Sequence, residues 1–268
     1  VKNLKEKHAL GIVIPLKARS VSKNWTTTCQ NLDATLTSIV NQTDRNFRCV
    51  VVGHDKPPFF DKASEQIEFY QFTTMPPPEV GNNESENQLK YEADRCTKIL
   101  EGIVHLNNLY PITHWYALDA DDLIHKDFVK SCSDLSERDG IIFDRGYFFF
   151  KNTGIINKSD SFSAYCGSSA VISSSTFDIP KSIEGQSFRA TPFGDVSHVN
   201  MKKHMEKQGL SIATPEERLV MYVRDNGENI SNAAYCNTWD RKLKKTIKML
   251  IKTQGSPRKI KKDFGILG

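Results

Sequence analysis

Asp119, Asp121 and Asp122 follow directly on the apolar run Trp115-Tyr116-Ala117-Leu118. A buried strand that runs straight into such residues holds their carboxylates together at a sheet edge. Neighbouring carboxylates repel one another, and a cation is their natural relief. Oxygen ligands make a hard site, which suits Mg2+ or Mn2+ better than zinc. An Asp-x-Asp triplet alone is a weak signal, since most are solvated turns; the strand before it gives this one its weight. Asp94 and Lys98 stand four apart and share a helix face, as a surface ion pair or as an edge turned toward a ligand. Asp195 follows Gly194 at the expected start of a helix, where an acid also serves as a cap. His198, three residues on, falls on the same face and is a candidate to complete a metal site or meet a phosphate.

The elements that must position these residues alternate. Ala9–Leu16 reads as a buried strand that leads into Lys17 and Arg19. Asn31–Asn41 shows one helical face, Phe47–Gly53 a second buried strand and Gln66–Phe72 a third. Thr73–Gln88, rich in Pro, Asn and Glu, reads as a long loop, and Leu89–Asn107 as a long helix. His114–Leu118 is the fourth strand, Asp127–Ser136 a helix, and Ile141–Phe143 and Tyr147–Phe150 two short strands about a turn. Strand and helix in this order imply an α/β chain with a mostly parallel sheet covered by helices. Ligands then bind beyond the carboxyl ends of the strands, where Lys17, Arg19 and the acidic cluster lie. The second half is less regular: a helix over Val196–Gln208 closed by Gly209, a late strand Leu219–Val223, and a polar loop Arg224–Ser231.

The chain resembles the GT-A glycosyltransferases, in style the family 2-like bacterial enzymes. The matching residues are Gly11-Ile12-Val13-Ile14-Pro15-Leu16, the helix Thr35-Leu36-Thr37-Ser38-Ile39-Val40-Asn41-Gln42-Thr43, the strand Cys49-Val50-Val51-Val52 leading to Asp55, and Leu118-Asp119-Ala120-Asp121-Asp122. They cover residues 9–128; the rest matches loosely. The resemblance implies a Rossmann-like GT-A domain with an Asp-x-Asp motif at a strand end, and a nucleotide-diphosphate sugar as donor. It places Pro15, Lys17, Arg19, Asp55, Asp94, Lys98, Asp119 and Ala120 around the nucleotide sugar, and Asp119 and Asp121, with His198, at a Mn2+ or Mg2+ ion. It makes Asp195 the base that deprotonates an acceptor hydroxyl, with inversion at the sugar, and sets Gly167, Ser168 and Asp122 on the acceptor side. The sequence departs from the family at Gly53-His54-Asp55-Lys56, where Asp-Asp-Gly-Ser is usual, and at Gly194, where a first acid is usual. The rival readings are a retaining GT-A transferase, a sugar nucleotidyltransferase and a non-catalytic module that binds nucleotide sugars. The nucleotidyltransferase ranks low because Pro15-Leu16-Lys17-Ala18-Arg19 has no glycine to wrap a phosphate.

The 268 residues, 38% hydrophobic and 25% charged, fit a globular protein and exclude collagen-like or disordered chains. No stretch approaches the length of a membrane span. The net charge of +4 is uneven. Between Trp239 and Lys262 stand ten basic residues and one acid, a local charge of +9 that leaves −5 for the rest. A mildly acidic body argues against nucleic acid as a partner. Residues 1–238 form the expected GT-A domain, and 239–268 a basic amphipathic helix and loose tail. That helix either docks on the body or touches an anionic membrane surface. The six cysteines are scattered, with no Cys-x-x-Cys pair, and fit buried thiols in a reducing cytoplasm. Val1–Lys7 is charged and has no signal-peptide core.

Overall fold

The structure is a computed structural model that describes residues 10–60, 64–228 and 257–266. Its centre is a seven-stranded sheet. Strands β1 (Leu10–Pro15), β2 (Phe47–Gly53), β3 (Ile67–Gln71) and β4 (His114–Ala117) run parallel in the order β3-β2-β1-β4. β9 (Ala170–Ser173) lies antiparallel beyond β4, followed by β6 (Gly140–Ile142) and β10 (Ile212–Ala213). The sheet is therefore mixed and mostly parallel, as the alternating elements imply.

Every residue of β1 is buried, because helices cover both faces of the sheet. Ile12 and Ile14 pack with Leu32, Leu36 and Ile39 of α1 (Trp25–Val40). Val13 points the other way, onto Ile99 and Ile103 of α2 (Glu84–Leu109). The period of two in the strand thus separates two apolar layers. Burying each such side chain contributes roughly 1.5–3 kcal/mol. α2 starts five residues before the sequence suggests, since Asn83 caps it by accepting from the amides of Ser85 and Glu86. The loop before it is correspondingly shorter.

A second sheet was not foreseen. β5 (Leu123–Ile124), β11 (Val220–Arg224), β7 (Gly146–Phe150) and β8 (Ile155–Ser159) form it in that order. β6 and β7, expected about a turn, enter different sheets. α3 (Phe128–Asp134) falls inside the expected helix. In place of one helix over 196–208, a four-residue turn α4 (Pro192–Asp195) precedes α5 (His198–Lys207). Val196 between them is extended, with φ −118° and ψ 123°.

The basic segment 239–252 and the residues up to 256 lie outside the described residues. Residues 257–266 are not a loose tail: α6 (Pro257–Asp263) leads into Phe264, which is buried with Leu123, Phe149, Ile156, Met221 and Val223. Among the described residues, no helix is long and apolar enough to cross a membrane.

Candidate active site

The loops after β1, β2 and β4 meet at the carboxyl ends of the parallel strands. β1 ends at Pro15, and the amide of Leu16 still donates to Val52 O at 2.8 Å. Lys17 and Arg19 follow. The carboxylate of Asp55 reaches back from the β2 loop and accepts from the amide of Arg19 at 2.8 Å. Asp55 thus fixes the β1 loop, which serves either a cap or a ligand wall.

Asp94 and Lys98 form no surface pair. Lys98 is fully buried; its Nζ donates to Asp94 Oδ2 at 2.7 Å and to Leu16 O at 2.9 Å. Burial pushes the Lys98 ammonium down, and Asp94 opposes that shift. Together they tie α2 to the end of β1. His54 stands beside them, its Nδ1 4.0 Å from Asp94 Oδ1 and its Nε2 3.0 Å from Met75 O.

Each of the three carboxylates after β4 meets protein groups of its own. Asp119 pairs with Arg95 of α2, with Nε at 2.9 Å and Nη2 at 2.7 Å from Oδ1. Asp121 accepts from Asn226 Nδ2 at 2.7 Å. Burial and then Asp119 push its carboxyl up to about 6, against the pull of Asn226 and Lys17. Asp122 is turned into the interior, where it accepts from Ser168 Oγ at 2.7 Å, Cys166 Sγ at 3.2 Å and the amide of Val223 at 3.3 Å. Burial drives its carboxyl well above the ordinary range. Asp122 and Ser168, expected on the acceptor side, are therefore buried against each other. They join the central sheet to the second one, because their partners come from both.

Gly167 does face the site. A Cβ built there would stand 3.0 Å from Asp119 Oδ2 and 3.1 Å from Arg95 Nη2. Ser168 holds the same turn in place, accepting at Oγ from the amide of Asp119 at 3.0 Å. His198 opens α5 next to this group. Burial lowers its imidazole pKa, the Asp119 carboxylate opposes the shift and Arg95 adds to it.

Asp195 and His198 do not share a helix face, because the extended Val196 breaks the chain between them. Asp195 ends α4 and is exposed. It lines two shallow depressions of about 200 and 420 Å3, with Arg189 in the first, Lys203 in the second and His204 in both. Its turn still touches the helix that holds Asp119: Cys96 Sγ, next to Arg95, donates to Phe193 O at 3.6 Å.

Three residues of the site carry no sequence signal: Arg95, Asn226 and Glu228. Glu228 is buried and accepts from Lys17 Nζ at 2.9 Å, the amide of Lys23 at 3.1 Å and the amide of Asn24 at 2.7 Å. Asn226 Oδ1 accepts from the amide of Glu228 at 3.0 Å. Between them the chain passes through two left-handed residues, Asp225 at φ 55° and Gly227 at φ 90°. Asn229 and Ser231, the rest of the expected loop, lie outside the described residues.

No family model matches the chain, and no curated protein does. Among solved structures it is similar to S. aureus TarS 1-349, at TM-score 0.44 and 10% identity over 80% of this chain and 60% of that one. The same S. aureus fragment in complex with UDP gives TM-score 0.45 and 10% identity over the same shares. A longer S. aureus TarS structure gives 0.41 and 12%, with 36% of that chain covered. The chain thus spans about three fifths of the first two structures and about a third of the longer one.

Proposed function

We propose that this chain is a GT-A glycosyltransferase that moves a sugar from a nucleotide-diphosphate donor to a hydroxyl acceptor. One observation carries the reading. Lys17, Asp55, Asp119 and Asp121 follow the carboxyl ends of β1, β2 and β4, where open α/β sheets bind ligands, and Lys17 is linked to Asp121 through Glu228 and Asn226. Their order along the chain is that of the family whose motifs the sequence resembles.

Among the described residues no three His, Cys, Asp or Glu side chains form a metal cage. Mg2+ and Mn2+ at diphosphates need no cage, since one or two carboxylates and the substrate's own phosphates suffice. Asp121 and Asp119 fit that requirement, with His198 beside Asp119. Such an ion would offset the charge that grows on the leaving diphosphate. The chain's own residues do the rest: Lys17 meets anionic oxygens, Asp55 and the Asp94–Lys98 pair fix the β1 loop, and Gly167 leaves room at Asp119. Asp195 is the proposed base for the acceptor hydroxyl, reached across the depression it lines, and inversion follows from that role.

A thermal-shift screen of nucleoside diphosphates and nucleotide sugars, with and without Mn2+, tests the donor. Asp121→Ala is expected to abolish Mn2+-dependent stabilisation without loss of fold; unchanged turnover in that variant removes the metal assignment. Asp195→Asn is expected to lower kcat on the order of 10²–10⁴-fold with donor Kd unchanged. Normal kcat would end its role as base, and a joint loss of donor binding and turnover would make it a ligand instead.

A further inference from the structure

We propose that the turn Asp225–Glu228 is a self-occluding strap, in which Glu228 sits where anionic oxygens of the donor bind; this rests on the donor reading above. The strap is fastened at two points. Glu228 takes the Nζ of Lys17 at 2.9 Å and the amides of Lys23 and Asn24 at 3.1 and 2.7 Å. Asn226 takes the carboxylate of Asp121 at 2.7 Å. These are the cation and the carboxylate to which the donor reading gives the diphosphate and its metal. The seat also has the character of an anion site. Asn24 is the N-cap of the sixteen-residue α1, so the amides of Lys23 and Asn24 lie at the positive end of a helix dipole. Glu228 supplies there the negative charge that a phosphate oxygen would supply, with its side chain only 6% exposed.

A donor therefore enters by exchange. Its anionic oxygens replace the Glu228 carboxylate on Lys17, and Asp121 leaves Asn226 as it turns to the donor. The left-handed backbone of Asp225 and Gly227 is held by these contacts, so release of the two side chains lets the whole turn move.

Calorimetric titration of the full chain with UDP, GDP and inorganic pyrophosphate, each with Mn2+, tests this on wild type, Glu228→Gln and Lys17→Met. The two amides bond different oxygens of Glu228, so Gln keeps an acceptor for one of them and removes the charge from Lys17. Glu228→Gln is expected to bind about tenfold more tightly, the equivalent of one charge-assisted contact. Lys17→Met is expected to bind more weakly than wild type. In wild type, saturation is expected to quicken exchange of the Glu228 amide, which Asn226 now protects. Equal or weaker nucleotide binding by Glu228→Gln, with Lys17→Met impaired, overturns the strap and leaves the donor reading standing. Tighter pyrophosphate binding by Glu228→Gln with no nucleotide bound does the reverse. Binding of none of the three probes to any variant overturns both. If Glu228→Gln does not fold, amide exchange in wild type decides, and unchanged protection of Glu228 at saturation overturns the strap.

Discussion

At Gly167 the site has room for a hydrogen atom and little more. A methyl group there must push on both Asp119 and Arg95, which pair with each other. Gly167→Ala is expected to cost about 1 kcal/mol of stability, at the low end for overpacking because both neighbours are side-chain tips. Turnover is expected to fall further, about tenfold, since the pair would be displaced from the reacting groups. Urea unfolding and steady-state kinetics on the same variant separate the two losses; full turnover would show that the placing of the pair is immaterial. Residues of this kind divide sharply in how well they can be read beforehand. Asp119 and Asp121 announce themselves because an apolar strand delivers them. Arg95 does not, because its partner lies 24 positions away and no period connects them. Glu228 meets Lys17 across 211 positions, and Asn226 meets Asp121 across 105, so only the folded chain reveals either. Asp122 misled for the opposite reason: its neighbours in sequence suggest a shared site, whereas the turn rotates it into the interior.

Among the elements, α6 is a charged segment docked through the aromatic Phe264, with Ile260 and Ile266 packed beside it. Phe264 stands edge-on to His125 and Tyr147, at centroid distances of 5.4 and 5.7 Å. Asp263 receives Lys126 Nζ at 2.8 Å. Phe264→Ala is expected to cost about 3 kcal/mol, measurable in urea. Acid should loosen the same contact. Burial lowers the pKa of His125 in the folded chain, so the unfolded chain takes its proton first and stability falls as pH drops below about 6.5. The hydrogen bond from Lys126 lowers Asp263 in the same way, which adds a second loss as pH falls through the carboxylate range. Urea midpoints from pH 8 to pH 4 should therefore fall less in Phe264→Ala than in wild type. An equal slope in both would place the titration elsewhere. α6 was unreadable as a docked element because Arg258, Lys259, Lys261 and Lys262 hide its apolar residues in a basic run. The parallel core was readable because β1 is a continuous apolar run and β2 and β4 carry the apolar stretches Cys49–Gly53 and Trp115–Ala117. The second sheet was not, since β5 has two residues and β8 carries Asn157 and Lys158 in its middle.

At the largest scale, the described residues form two sheets joined through Asp122, with the candidate site on the seam. The central sheet has a further property in the placing of β9. It lies between β4 and β6, yet it follows both along the chain. During synthesis β4 therefore leaves the ribosome with its outer edge unpaired, and β6 emerges with no neighbour at all, since β10 comes later still. Both edges wait for residues 170–173, which at about 5–20 residues per second is a delay of several seconds. Bare strand edges invite pairing with other chains, so this interval is when the nascent protein most needs a chaperone. In refolding, the amide of Ile141 should gain protection together with those of Val171 and Ile172, after those of β1 and β2. Pulsed hydrogen exchange measures that order, and protection of β6 ahead of β9 would mean that another partner shields it while it waits.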